Sequence, residues 1–144
     1  LRTFSKIYGL AGLRVGYGIA DAETIGFLNR PRHPFNVSRV AQAAALAALE
    51  DTAHVTESRR INDVGLDYLT RELGVLGIEV WPSETNFVLA DAGAGAHEAL
   101  LREGVIVRPM AGFGLPEHVR ITVGLPEENE RLIKALRRLR EQPR

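Results

Sequence analysis

Apolar residues recur along the middle of the chain at a helical interval. Ile61, Gly65, Leu69, Leu73 and Leu76 follow one another at spacings of four, four, four and three, so they share one face of an α-helix. The spacing predicts a helix from about His54 to Leu76, stopped by Gly74 and Gly77. A second helical face, Leu132, Ile133, Leu136 and Leu139, lies near the end of the sequence. Its helix should start at Pro126, with Glu127 and Glu128 at the positive end of the dipole and Arg137, Arg138 and Arg140 at the negative end. Between the two helices the pattern changes to β-branched runs. IEVW (78–81), NFVLAD (86–91), GVIVRP (104–109) and VRITVG (119–124) read as strands. A short helix fits near His97 to Arg102. Alternation puts Val119, Ile121 and Val123 on one face of the last strand and Arg120 and Thr122 on the other. Likewise Val105 and Val107 face away from Ile106 and Arg108.

The first third of the chain reads differently. Leu1 to Ser5 is strand-like, and RVGYGIAD (14–21) is a short strand carrying glycines. AETIGFLNR (22–30) predicts a short helix, and PRHPFN (31–36) a loop. Ser38 can cap a helix over VAQAAALAALE (40–50). That helix is small or apolar almost all round, so burial on several sides is expected. The pattern therefore divides near residue 52. Residues 1–52 hold a strand, a glycine loop, a strand and helices; residues 53–144 hold the long helix and an α+β unit of about four strands and two helices. The sequence lacks an initial Met and opens inside strand-like residues. A piece of a longer protein is expected.

Composition narrows the function classes. Lys+Arg and Asp+Glu balance at 18 each, so no basic surface points to nucleic acid and no acidic tail to disorder. No apolar run reaches the roughly 18 residues of a membrane span. The chain has no cysteine, which removes disulfides and thiolate metal sites and fits a reducing cytoplasm. His33, His54, His97 and His118 are scattered. They form no metal-binding pair and read as surface or loop residues. Lys6 precedes its glycines rather than following them, so there is no phosphate loop of the Walker type. GYGIAD (16–21) lacks the third glycine of a dinucleotide fingerprint, and no GxSxG elbow occurs.

One stretch remains, RTFSKIYGLAGLRVGYG (2–18). Its lysine is a nucleophile toward an aldehyde if desolvated or set near positive charge. Arg14 offers a rigid fork for a phosphate, Thr3 and Ser5 offer hydroxyl donors, and Gly9 and Gly12 let a ligand approach the backbone. An aromatic aldehyde carrying a phosphate suits those parts, and pyridoxal phosphate is such a molecule. The plainer alternative is a strand-end surface lysine with Arg14 as a structural ion-pair partner. The two strand arginines also leave two readings open, a solvated face or an anion.

The wording of that stretch resembles the Schiff-base lysine segment of the class I/II aminotransferases of fold type I. Within that family it is most similar to the histidinol-phosphate aminotransferase branch. The likeness continues in collinear order through PFNVSRVAQAAALAALED, ETNFVLAD and LLREGVIVRPMAGFGLPEHVRITVGLPEENERL. The resemblance implies an α/β fold, with residues 1–52 as the tail of a large cofactor-binding domain. Residues 53–144 would then be a linking helix and a small α+β domain. It implies pyridoxal 5'-phosphate as cofactor, Lys6 as Schiff-base lysine and proton shuttle, and Thr3, Ser5 and Arg14 around the cofactor phosphate. It further implies Arg120 on the substrate α-carboxylate and Arg108 on the distal phosphate. The partners implied are an amino donor, a 2-oxo acid and a second copy in a homodimer, in the cytoplasm. In the family, the groups that contact the cofactor ring precede the lysine segment, so the segment alone is expected to be inactive. The alternatives are an aromatic amino acid aminotransferase, a phosphothreonine decarboxylase-like enzyme, or a folded module that binds no cofactor.

Overall fold

The computed structural model describes residues 1–141. The chain forms two compact units, Leu1–Arg59 and Arg60–Arg144.

In the first unit, strands β1 (Arg2–Thr3) and β2 (Gly16–Tyr17) form an antiparallel hairpin. Helix α1 (Ala22–Asn29) follows, capped by the Asp21 carboxylate accepting from the Thr24 N–H. Helix α2 (Arg39–Glu50) is capped in the same way by Ser38, whose hydroxyl accepts from the Ala41 N–H. The buried cluster is small: Phe4, Val15, Ala41 and Ala45, edged by Tyr8, Leu10, Leu13, Val37 and Ala48. This corrects one expectation. α2 is not buried on several sides; only Ala41 and Ala45 are buried, while Val40, Leu46 and Leu49 are exposed. The hairpin is narrow, and one stripe of small side chains is all it can cover.

Helix α3 (Thr52–Val75) starts in the first unit and ends in the second. Gly65, Leu69 and Leu73 of its stripe are buried. Its end is a Schellman turn. Gly77, at φ 67, donates to the Gly74 carbonyl, and Ile78 donates to the Leu73 carbonyl. Ile78 and Leu73 both enter the core, as that motif favours.

The second unit is a four-stranded antiparallel sheet, ordered β3 (Glu79–Trp81), β4 (Phe87–Asp91), β6 (His118–Thr122) and β5 (Arg108–Pro109). Helices α4 (Ala96–Arg102) and α5 (Pro126–Glu141) complete it. One face of the sheet contributes Val88, Ala90, Val119 and Ile121 to a core with Leu69, Leu73, Leu100, Leu132, Ile133 and Leu136. Strand β5 is shorter than GVIVRP suggested. Gly104 and Val105 instead close α4, donating to the Leu101 and Leu100 carbonyls. Of the histidines, His54 lies in α3, His97 in α4 and His118 in β6, so only His33 is a loop residue. No helix among the described residues is long and apolar enough to cross a membrane.

Candidate active site

The lysine segment is the mouth of the β1–β2 hairpin. Arg2 pairs with Tyr17 and Thr3 with Gly16, and the Phe4 N–H donates to the Val15 carbonyl at 3.2 Å, adding one rung. Continuing this register sets Ser5 opposite Arg14, with Lys6 next along. Gly16 is required by close approach: a Cβ there would lie 2.7 Å from the Arg2 carbonyl oxygen. The Lys6 carbonyl accepts from the Gly9 N–H at 2.8 Å, closing a tight turn, and Gly9 sits at φ 68. The Leu10 N–H returns to the Phe4 carbonyl at 2.9 Å.

The donors at this mouth are largely unused. The Lys6 side chain is exposed and forms no hydrogen bond or ion pair among the described residues. Thr3 Oγ1 accepts from the Ser5 N–H at 3.0 Å, which leaves the hydroxyl proton free to donate. Arg14 adopts φ 51, ψ 47, a left-handed conformation that disfavours a side chain by about 1–2 kcal/mol. One of its guanidinium N–H groups donates to the Ala11 carbonyl at 2.9 Å, and the others stay available. No carboxylate pairs with Arg14 among the described residues. Thr3, Ser5, Lys6 and Arg14 are thus gathered at one end of one hairpin.

The other two candidates form a pair of their own in the second unit. Arg108 on β5 is the register partner of Arg120 on β6. Opposed residues of antiparallel strands share a face, here the one turned away from the core, with Cβ atoms about 5 Å apart. Two like charges so placed repel. Neither has an acidic partner among the described residues. The Arg120 guanidinium lies 4.7 Å from the Phe87 ring centroid, and the Arg108 guanidinium 5.3 Å from that of Phe113. Arg120 Nε is buried without a hydrogen-bond partner, the state that a bound anion would relieve. The aromatic supports escaped the sequence reading. Phe87 was within reach, since alternation sets it on the face of Leu89, which opposes Arg120. Phe113 lies in a 3-10 turn, Ala111–Phe113, and nothing periodic marks it.

The sequence matches the family described as aminotransferase class I and II over residues 1–136. The chain belongs to this aminotransferase family. It is 52% identical over 144 residues to histidinol-phosphate aminotransferase 1 of Nitrosococcus oceani, covering 98% of this chain and 39% of that protein. The chain therefore spans about two-fifths of the curated relative's length. The crystal structure of the histidinol-phosphate aminotransferase from Clostridium acetobutylicum superposes with a TM-score of 0.90 at 27% identity, covering 96% of this chain and 44% of that one. The histidinol-phosphate aminotransferase from Sinorhizobium meliloti, solved in complex with pyridoxal-5'-phosphate, gives 0.75 at 31% identity, covering 95% and 40%. These likenesses give the aminotransferase fold type I, of which the hairpin and the four-stranded sheet are parts.

Proposed function

We propose that this chain is the carboxy-terminal portion of a pyridoxal-phosphate-dependent aminotransferase that moves an amino group between histidinol phosphate and 2-oxoglutarate in histidine biosynthesis. In this reading residues 1–52 end the large cofactor domain, and residues 53–144 are the linking helix and small domain of a cytoplasmic homodimer. The observation that carries the substrate assignment is the Arg108–Arg120 pair. It holds two opposed cations with no acidic partner among the described residues, one with a buried Nε lacking any partner. Such a pair suits a donor and an acceptor that each bring an anion.

The hairpin mouth fits the cofactor. Lys6 supplies an uncommitted amine for its aldehyde. Arg14, with Thr3 and Ser5, supplies guanidinium and hydroxyl donors for its phosphate. When bound, the cofactor supplies the electron sink that acidifies the substrate α-carbon. Lys6 holds the cofactor at rest. With the cofactor bound, the Lys6 amine would be the base placed to take and return the proton of the substrate α-carbon. Arg120 orients glutamate or 2-oxoglutarate by its α-carboxylate, and Arg108 orients histidinol phosphate by its phosphate.

Single-turnover kinetics of the two half-reactions in the full-length protein test this reading. Histidinol phosphate has no carboxylate. Arg120→Ala should therefore slow the glutamate half-reaction about a hundredfold, as expected for a stranded buried charge partner, and the histidinol phosphate half-reaction much less. Arg108→Ala should invert that order. Equal losses in both half-reactions for both variants would contradict the assignment. Unimpaired histidinol phosphate turnover in Arg108→Ala would shift it to an aromatic amino acid aminotransferase.

A further inference from the structure

We propose that His54 is a positioning residue for Lys6, acting through the Ile7 carbonyl; this rests on reading Lys6 as the amine that holds the cofactor. His54 Nε2 lies 2.9 Å from the Ile7 carbonyl oxygen, across 47 residues of sequence. A carbonyl only accepts, so Nε2 carries the proton, whether the ring is neutral or charged. Ser58 Oγ is 3.5 Å from the same nitrogen, at the outer limit of a hydrogen bond, and adds little.

The position of His54 is itself fixed. Asp51 ends α2, its N–H donating to the Ala47 carbonyl, and its carboxylate then accepts from the His54 N–H at 2.9 Å. His54 is the third residue of α3. At that position a Glu or Gln usually folds back onto the capping residue. The histidine ring instead reaches to the lysine turn.

What it holds there is the middle of the turn. Lys6 and Gly9 close it, so the Ile7–Tyr8 peptide is its central peptide. Tyr8 is not among the residues with positive φ, so this peptide is not in the type II orientation. No backbone N–H reaches the Ile7 carbonyl among the described residues. All other hydrogen bonds of residues 5–14 stay within the hairpin. His54 is thus the one polar tie from the lysine loop to a helix, among the described residues. Proton transfer is sensitive to placement, with about a 1 Å error costing on the order of a hundredfold. A tie to the peptide beside Lys6 bears on the amine's aim.

The test uses the full-length holoenzyme with His54→Ala and His54→Gln. Glutamine carries an amide N–H at the reach of Nε2 and is the better helix former. The readouts are kcat, KM, the pH titration of the visible absorbance of the Lys6-bound cofactor, and the thermal midpoint. His54→Ala should lower kcat about three- to tenfold, the worth of one hydrogen bond, with KM changed less than about twofold. The absorbance midpoint should move by about half a pH unit. His54→Gln should restore both. If His54→Ala lowers only the thermal midpoint, or if glutamine fails to restore kcat and the titration, the proposal is overturned. Borohydride reduction of the unsubstituted enzyme is run alongside. A label that is absent from Lys6 overturns the underlying reading of Lys6, whatever the His54 variants do.

Discussion

The second unit buries Leu69, Leu73, Leu100 and Val88 almost completely, whereas the first buries Phe4, Val15, Ala41 and Ala45 and leaves Ile19, Phe35, Val40 and Leu46 largely in solvent. Both units are rich in apolar residues, so composition does not separate them. The difference lies in what each apolar stripe meets. The stripes of α3 and α5 face a four-stranded sheet that offers Val88, Ala90, Val119 and Ile121. α2 faces a hairpin with only two buried side chains, Phe4 and Val15. The two sets of candidate functional residues inherit this contrast. Arg108 and Arg120 ride on a sheet backed by a packed core. Lys6 sits in a loop held by a few backbone bonds and the His54 tie.

Substitutions matched across the units test that contrast. The largest expected effect is Leu73→Ala, which should destabilise this chain by about 2–5 kcal/mol through lost burial and a residual cavity. Leu46→Ala, on an exposed helical face, should change it by less than about 0.5 kcal/mol. Urea unfolding of both variants measures the pair, and equal costs would break the comparison.

Two helical glycines should respond with opposite signs. A Cβ at Gly65 in α3 would collide with Val123 and press on Asn129. Gly65→Ala should therefore destabilise by about 1–3 kcal/mol, despite the better helix propensity of alanine. A Cβ at Gly26 in α1 meets nothing within 4 Å, and Gly26→Ala should stabilise by about 0.5–1 kcal/mol. Thermal unfolding of the two variants gives the signs.

The smallest effect belongs to the cap of α1. The Thr24 N–H and hydroxyl both donate to the Asp21 carboxylate at 2.8 Å. The backbone bond above all holds its pKa below the ordinary 3.8. A depressed carboxylate stabilises the fold in full above that ordinary value, and the contribution is lost as pH falls through the lowered one. Acid titration followed at the Thr24 amide by NMR should show α1 loosening below about pH 4. Asp21→Asn, which caps without titrating, should remove that step.

Much of this architecture was legible in the sequence where a residue's partner is near in sequence or dictated by period. The α3 stripe, the Ser38 cap, the Pro126 start and the two faces of the last strand all follow from spacing. Strand β5 was read too long because Gly104 and Val105 are equally suited to a strand and to a helix stop. The burial of α2 was overestimated because a helix's sequence says what it could bury and not what is there to cover it. Register was out of reach. That Arg108 opposes Arg120 depends on the order β3-β4-β6-β5, which alternation alone does not fix. The buried Asn129 was also missed. Its amide bonds both the N–H and the carbonyl of Gly124, joining the end of the sheet to the start of α5. His54 went unnoticed because its partner is 47 residues away.

The most direct test of the central claim, that the β1–β2 hairpin carries the cofactor, is borohydride reduction of the full-length holoenzyme followed by peptide mapping. This chain has two lysines, Lys6 and Lys134. Lys134 lies on α5, paired with Glu130 at 3.2 Å. The account predicts a reduced pyridoxyl label on Lys6 alone, and no label and no turnover in Lys6→Ala. A label on Lys134, or on neither lysine, would contradict it.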